Sequence, residues 1–386
     1  MGNAVAPKYL LNATPVVMGG GLQASVAFIL EAMADVSINW HFLISPEVSE
    51  QLNRCSTSVT SEKFTVIDSP AKDRQIRMRI LEMVLEHQPH AVFTFFGPAY
   101  VKLPVPHLMG VADGWITHSS RVAMHSKKDL RAWVRFALLF VYKRYWYRQA
   151  DRWVVEADCA KQGMIKRFFL KSQDIDIVSN SCSAAFNANY NYTPKLGKRV
   201  RILFISSYYA HKNFEIIPYV AKALKLLCPE IAIEFVITIE KGSSDERRLL
   251  DSAAAFGVSE YLVNMGPTPV VEAPGLYRDC HMVFMPSLLE TFSAIYPEAM
   301  ISGLPIVTAD LDFARNICQD AALYYSPLDA SSAARSIAKL LMNPKLYQDL
   351  QQKGRLRVKA FPTQSKKYMA YCESISRLAD KEGVGK

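Results

Sequence analysis

Two acids eight positions apart, Glu290 and Glu298, stand where the chain turns from an apolar run into a helix: FMPSLLETFSAIYPEAMISGLPIVTAD. The run before them reads as a buried strand ending at Ser287. Glu290 falls on the loop and Glu298 on the helix that follows, with Pro297 in its first turn and Gly303 just past its end. The first amides of a helix lack intrahelical partners and carry its positive dipole end. The N–H groups of Thr291 to Ile295 therefore offer a seat for a phosphate or diphosphate. A carboxylate on either side of that seat can accept hydrogen bonds from sugar hydroxyls. The plainer alternative is a surface loop with two solvated acids.

The elements that must position these residues alternate in type. KYLLNATPVV, WHFLISPEV, AVFTFF, VPHLMGVADG, DRWVVEA and DIDIVSN read as strands, with LQASVAFILEAMA and RQIRMRILEMVLEHQ as helices between them. The rhythm pauses at the polar stretch 187–197, a predicted linker, and restarts. RVRILFISS, IAIEFVITI, YLVNMG, HMVFMPS and LPIVTAD read as strands, and IIPYVAKALKLL, DERRLLDSAAAFG, APGLYRDC, PEAMIS and SSAARSIAKLLMN as helices. Strands alternating with helices predict an α/β chain with parallel sheets covered on both faces. We expect two doubly wound Rossmann-like domains facing a central cleft: residues 1–190, residues 198–362, and a last helix over 363–386 packing back on the first domain. Ligands of such sheets lie outside the carboxyl ends of the strands.

Composition agrees. Of 386 residues, half are hydrophobic and 21% charged, enough apolar material for real cores, which excludes a disordered chain. The seven cysteines are widely spaced and lack a C-x-x-C pair, so neither a disulfide framework nor a zinc site is expected, and the setting reads as a reducing cytoplasm. No signal peptide is evident, and Ala6 stands where myristoylation wants Ser or Thr. The longest apolar run, Ala132 to Tyr142, is 11 residues broken by Arg135, too short to span a bilayer.

Gly266 to Asp310 resembles the C-terminal half of retaining glycosyltransferases of family 4, which have the B-type fold (GT-B). The resemblance rests on E-x7-E at Glu290 and Glu298, the preceding MPS, and Ser302-Gly303-Leu304-Pro305 after it. It extends to Ala210-His211-Lys212-Asn213 after the first strand of the second domain, and to ADRWVVEA and IVSN with Asn180. Through residues 1–120 only the Gly19-Gly20-Gly21 loop and the order of elements match.

The resemblance implies a role for each matching residue. Glu298 would bind the ribose hydroxyls of a nucleotide, and Glu290 would touch the donor sugar near its reacting carbon. Phe292, Ser293 and Ala294 would offer amides to the diphosphate. Lys212 would neutralise it as it leaves. Gly20 and Gly21 would let backbone approach the phosphates closely, and the base would be read near Gly266 and Pro267. The sequence departs from the family in two respects. Ser206 and Ser207 stand where an arginine is usual, a loss that His211 offsets only in part, and Ala112 stands in place of a histidine. Asp113, at that strand end before Gly114, becomes the candidate for contacting the acceptor or positioning the donor sugar. A turn-forming Asp-Gly is the alternative, and His107 and His118 are rivals.

The expected reaction is transfer of a sugar from a nucleotide-sugar donor to a hydroxyl of a saccharide or lipid-linked acceptor. Retention at the anomeric carbon, and a place in bacterial-type surface polysaccharide or glycolipid assembly, follow from the resemblance alone. No cofactor and no essential metal are expected. Asp174-Ile175-Asp176 and Asp310-Leu311-Asp312 spell a metal–nucleotide motif of a different transferase fold, but neither lies where that use requires. The alternatives are a nucleotide-sugar epimerase on the same fold, or a degenerate, non-catalytic membrane scaffold.

The net charge is +9, and residues 121–152 hold nine basic residues against two acidic ones, a net of +7, interleaved with Trp133, Phe136, Phe140, Tyr142, Tyr145, Trp146 and Tyr147. This suits an anionic membrane surface at the inner face of the cell membrane. The alternative is a packed helix with a basic solvated face. No nucleic-acid motif accompanies the charge. A second basic cluster runs from Lys353 through Arg355, Arg357 and Lys359 to Lys366 and Lys367.

Overall fold

The computed structural model describes residues 6–55, 62–126, 130–183, 185–186 and 196–383. Most of the expected linker, together with Lys127, Lys128 and Asp129, lies outside the described residues. The chain divides into two units: Met1–His118, Leu130–Ser179 and Pro362–Lys386 form one, Ser119–Asp129 and Asn180–Phe361 the other.

The first unit holds seven strands, β1 (Lys8–Ala13), β2 (Asn39–Ile44), β3 (Phe64–Val66), β4 (Ala91–Thr94), β5 (His107–Val111), β6 (Arg152–Val155) and β7 (Ile175–Ile177). They pair in parallel in the order β3-β2-β1-β4-β5-β6-β7. The second unit holds β8 (Arg199–Phe204), β9 (Ala232–Ile237), β10 (Leu262–Asn264), β11 (Met282–Met285), β12 (Ile306–Ala309) and β13 (Ala322–Tyr325). Their order is β10-β9-β8-β11-β12-β13, again parallel. Central strands such as β4 and β11 are buried along their whole length, as strands covered on both faces must be. In each sheet the order reverses once, between β1 and β4 and between β8 and β11. A doubly wound sheet opens its ligand crevice outside the carboxyl ends at such a reversal.

The expected α/β class and doubly wound sheets are borne out. The core of the first unit is aromatic. The Phe28 ring lies 5.4 Å from Trp40, 5.6 Å from Phe93 and 5.2 Å from Tyr368. Tyr368 sits on the Gln364–Gly383 helix, which belongs to this unit.

Several elements differ from the sequence reading. WHFLISPEV is not strand throughout: β2 stops at Ile44, and Ser45 caps a helix, Pro46–Arg54, its Oγ accepting from Val48 N at 3.2 Å. The strand read through Ser287 ends at Met285, since Pro286 has no N–H to extend the ladder. The short strand β3, the helices Asp312–Cys318 and Pro344–Arg357, and β13 had no counterpart in the sequence reading. Lys367 leaves the basic cluster. It is only 3% exposed, and burial pulls its ammonium down to about 8, against the opposing charge of Glu156. Arg152 is likewise buried and pairs with Asp176 at 3.1 Å.

Candidate active site

In the second unit the chain leaves β8 at Phe204, crosses residues 205–209 and makes a single 3-10 turn, Ala210–Lys212. Asn213 follows with φ +56°, the left-handed region that Asn tolerates better than most residues. Phe214 then buries its ring 4.4 Å from Phe204 and 5.5 Å from Tyr208, which anchors the turn. The β11 loop is joined to this turn by a backbone bond, Leu288 N donating to His211 O at 2.7 Å. Leu288 and Leu289 are buried, so the loop keeps its apolar residues down and carries Glu290 at the crevice. Lys212 Nζ lies 2.6 Å from Glu290 Oε1, with the two side chains 13% and 10% exposed. The sheet reversal thus brings together the lysine and acid that the sequence singled out separately.

Glu298 lies in the helix Ile295–Ile301. Tyr296 secures the helix underneath by its hydroxyl contact with Thr308 Oγ1 at 2.8 Å, and Thr308 in turn donates to Met285 O. Gly303 ends the helix with φ +69°, where the sequence placed it. Glu298 Oε2 accepts from Tyr277 OH at 3.0 Å. Burial pushes its carboxyl up to about 7, partly opposed by that bond. Burial and the nearby Glu298 charge push the Cys182 thiol up to about 12. Glu298 therefore holds its proton well above the usual carboxylate range. Phe292 and Ser293 are buried on the loop before this helix, with Ala294 directly ahead of its first residue.

The loops after β9 and β10 form one hydrogen-bonded bracket. Gly266, at φ +84°, donates to Asn264 Oδ1 at 3.1 Å. Asn264 Nδ2 donates to Glu246 Oε1 at 2.6 Å, while Gly242 N donates to Glu246 Oε2 at 2.5 Å. The Lys241 side chain lies along Gly266, its Cε 3.4 Å from where a Cβ would stand. The sequence reading missed Tyr277, Asn264 and Glu246. Ser243-x-x-Glu246 was a legible capping signal, and Ser243 does cap the helix Ser244–Ala255. Ser207 is exposed, its carbonyl accepting from Ser206 Oγ at 3.0 Å. The Tyr209 and His211 rings stack at 5.7 Å.

The remaining candidates belong to the first unit. Gly20 and Gly21 open the helix Gly20–Ala34 after Gly19, which has φ +69°. A Cβ at Gly20 would meet nothing within 4 Å. Asp113 is the N-cap of a short helix, Gly114–Thr117, rather than a turn residue. Its Oδ1 accepts from Trp115 N at 3.1 Å, and its Oδ2 is 2.7 Å from Lys143 Nζ. Both carboxylate oxygens are thus engaged. His107 is removed as a rival. It is 1% exposed, contacts Thr94 Oγ1 at 2.7 Å through Nε2, and burial holds its imidazole down to about 3. His118 Nδ1 contacts Thr117 Oγ1 at 2.8 Å. In the two D-x-D stretches, Asp310 pairs with Arg315 at 2.6 Å and Asp176 with Arg152.

Residues 190–357 match the family model described as "Glycosyl transferases group 1", an interval containing Lys212, Gly266, Glu290 and Glu298. A D-inositol 3-phosphate glycosyltransferase of Salinispora arenicola is 24% identical over 231 residues, 54% of this chain and 50% of that protein. The chain thus spans about half the length of the curated relatives it matches. Among solved structures, a glycosyltransferase of Rickettsia africae superposes with TM-score 0.70 at 13% identity, covering 96% of this chain and 98% of that one. HepE of Anabaena, in complex with UDP and glucose, superposes with TM-score 0.69 at 13% identity, covering 96% and 100%. Likeness at that identity speaks for the fold. The resemblance read from Glu290, Glu298 and their flanks is borne out by the match over residues 190–357, and the two-unit α/β fold is similar to that of these glycosyltransferases.

Proposed function

We propose that this protein moves a sugar from a nucleoside diphosphate sugar to an acceptor hydroxyl. The observation that carries this reading is the Lys212–Glu290 pair across the β8/β11 reversal, inside the interval that matches the family. The donor enters that crevice. Its diphosphate takes over the Lys212 ammonium, meets the amides of Phe292, Ser293 and Ala294, and lies near His211 and Ser207. Glu290, released from the lysine, turns to the sugar. Glu298 accepts from the ribose hydroxyls, and the base lies at the Gly266 loop.

In the reaction the bond between the anomeric carbon and the diphosphate oxygen breaks, the acceptor oxygen bonds that carbon, and a nucleoside diphosphate and a proton leave. Lys212 stabilises the charge that develops on the leaving group, and this reading asks for no resident metal. Retention follows the family. HepE, solved with UDP and glucose, and relatives named as glycosyltransferases support a nucleotide-sugar donor. The acceptor, a saccharide or a lipid-linked one, is met by the first unit near Asp113 and the Gly20-Gly21 turn. The exposed basic and aromatic side chains of the Leu130–Tyr147 helix face an anionic membrane surface at the cytoplasmic side, as expected of polysaccharide or glycolipid assembly.

The test is a thermal-shift screen of nucleoside diphosphates and their sugars, followed by a release assay on each one that binds. A ligand at 100 times its Kd should stabilise by ~2.7 kcal/mol. Binding with acceptor-dependent nucleotide release supports transfer. An isomerised sugar formed from donor alone would point to an epimerase, and no shift with any nucleotide would sink the reading.

A further inference from the structure

The helix Leu130–Tyr147 docks on the first unit by one side. Phe136 packs edge-on to Trp115 at 5.8 Å, Lys143 reaches Asp113, and Tyr147 is buried. Arg77 adds a clamp. It donates to Tyr142 OH at 2.8 Å, and its guanidinium carbon lies 5.5 Å from both the Tyr100 and the Trp146 ring.

The opposite side is bare. Val134, Leu138, Val141 and Tyr145 are 53%, 68%, 66% and 59% exposed. At about 100° per residue these four share an arc of roughly 60°. Arg131 and Arg135 follow one edge of the arc, Arg144 and Arg148 the other. None of these arginines pairs with a carboxylate among the described residues. Phe169, 75% exposed, extends the apolar area under Arg144, whose guanidinium carbon is 5.3 Å from its ring.

We propose that this stripe lies in the headgroup boundary of an anionic bilayer, with its four side chains among the upper acyl carbons and the two arginine rows on lipid phosphates. This deepens the membrane reading of residues 121–152 by naming the face that binds, and it rests on that reading but not on sugar transfer. The charge pattern selects the occupant. A second copy of the stripe would set arginine rows against arginine rows, and a nucleic acid would leave the apolar centre uncovered. Anionic lipid satisfies both parts. No helix among the described residues is long and apolar enough to cross a membrane, so the helix would lie flat. Because Lys143 on its inner side holds Asp113, the same helix would bring a bilayer-resident acceptor to the proposed acceptor side.

The full chain is sedimented with vesicles of phosphatidylglycerol and phosphatidylcholine, and with phosphatidylcholine alone. Binding should require the anionic lipid and weaken with salt. Leu138→Asp with Val141→Asp should abolish it. Arg144→Gln with Arg148→Gln should weaken it roughly 25-fold, about fivefold per arginine. Both double variants should melt close to the wild type, since Leu138 and Val141 lie on the undocked side and Phe169, which Arg144 overlies, is itself 75% exposed. Brominated lipid should quench Trp133, which is 46% exposed, and Trp133→Phe should remove most of that quenching. Equal binding to neutral vesicles, or full binding by the stripe variant, overturns the proposal. So does a dimer in sedimentation velocity that Leu138→Asp dissolves, because the stripe then serves a second copy. Loss of nucleotide binding elsewhere would affect only the transfer reading.

Discussion

Lys212 Nζ stands 2.6 Å from Glu290 Oε1, although 78 positions separate the two residues in the chain. They lie on the loops that leave β8 and β11, neighbours only because the sheet reverses its order there. With the side chains mostly buried, the pair is partly shielded from water, where a charge contact is stronger than at the surface. In the proposed reaction a diphosphate offers the lysine more negative charge than one carboxylate, so donor entry breaks the pair and frees Glu290 for the sugar.

Lys212→Ala and Glu290→Ala should each slow transfer severely while leaving the chain folded. Losing one preorganised charge at a leaving group costs a rate factor of about 100 to 1,000. Because each residue is the other's partner, the double variant should lose less than the product of the single losses. Rates of nucleotide release, with circular dichroism as the check on folding, decide this. Near-normal rates in both single variants would remove the pair from the site.

Glu298 makes stability fall with pH. Its carboxyl titrates near 7 in the folded chain, against an ordinary value of 4.5. Between those values the folded chain keeps a proton that the unfolded chain has lost, so stability declines as pH rises from about 4.5 to about 7 and levels off above. Glu298→Gln removes this dependence. The variant's Tm should therefore gain on the wild type's between pH 5 and pH 7.5. A constant difference would mean that Glu298 titrates as an ordinary acid.

Gly303 ends the helix that carries Glu298 in the left-handed region, at φ +69°. Gly303→Ala should cost about 1 kcal/mol, because a Cβ is strained there. Urea unfolding should show a lower midpoint with an unchanged slope. An unaltered midpoint would mean that the turn can relax.

Gly163 is a close-approach glycine. A Cβ there would stand 2.0 Å from Thr117 O, in the short helix capped by Asp113. Gly163→Ala must push two backbones apart, so a loss of about 3 kcal/mol is expected. Thermal melts of Gly163→Ala beside Gly20→Ala, where a Cβ meets nothing within 4 Å, separate crowding from the general effect of replacing glycine.

Much of the fold could be read from local pattern. Alternating buried strands and amphipathic helices are periodic, and caps such as Gly303 act on their immediate neighbours. Short elements were harder. β3 has three residues, too few to show a period, and Pro46–Arg54 was read as a strand tail even though Ser45-Pro46 is a start signal for a helix. Charge was misread where it is buried. Lys367 and Arg152 look like solvated cations in a one-dimensional count, yet both are buried, and the half-buried Lys143 is held against Asp113.

By itself, the sequence determined that Glu290 precedes a helix bearing Glu298 and closed by Gly303, since those relations involve neighbours along the chain. It also placed the excess positive charge in one aromatic stretch. Tertiary structure alone decided that Lys212 meets Glu290, that Tyr277 holds Glu298, and which side of the Leu130–Tyr147 helix stays bare. Each of these depends on strand order and on packing between distant segments, and residue spacing carries no record of which segments become neighbours.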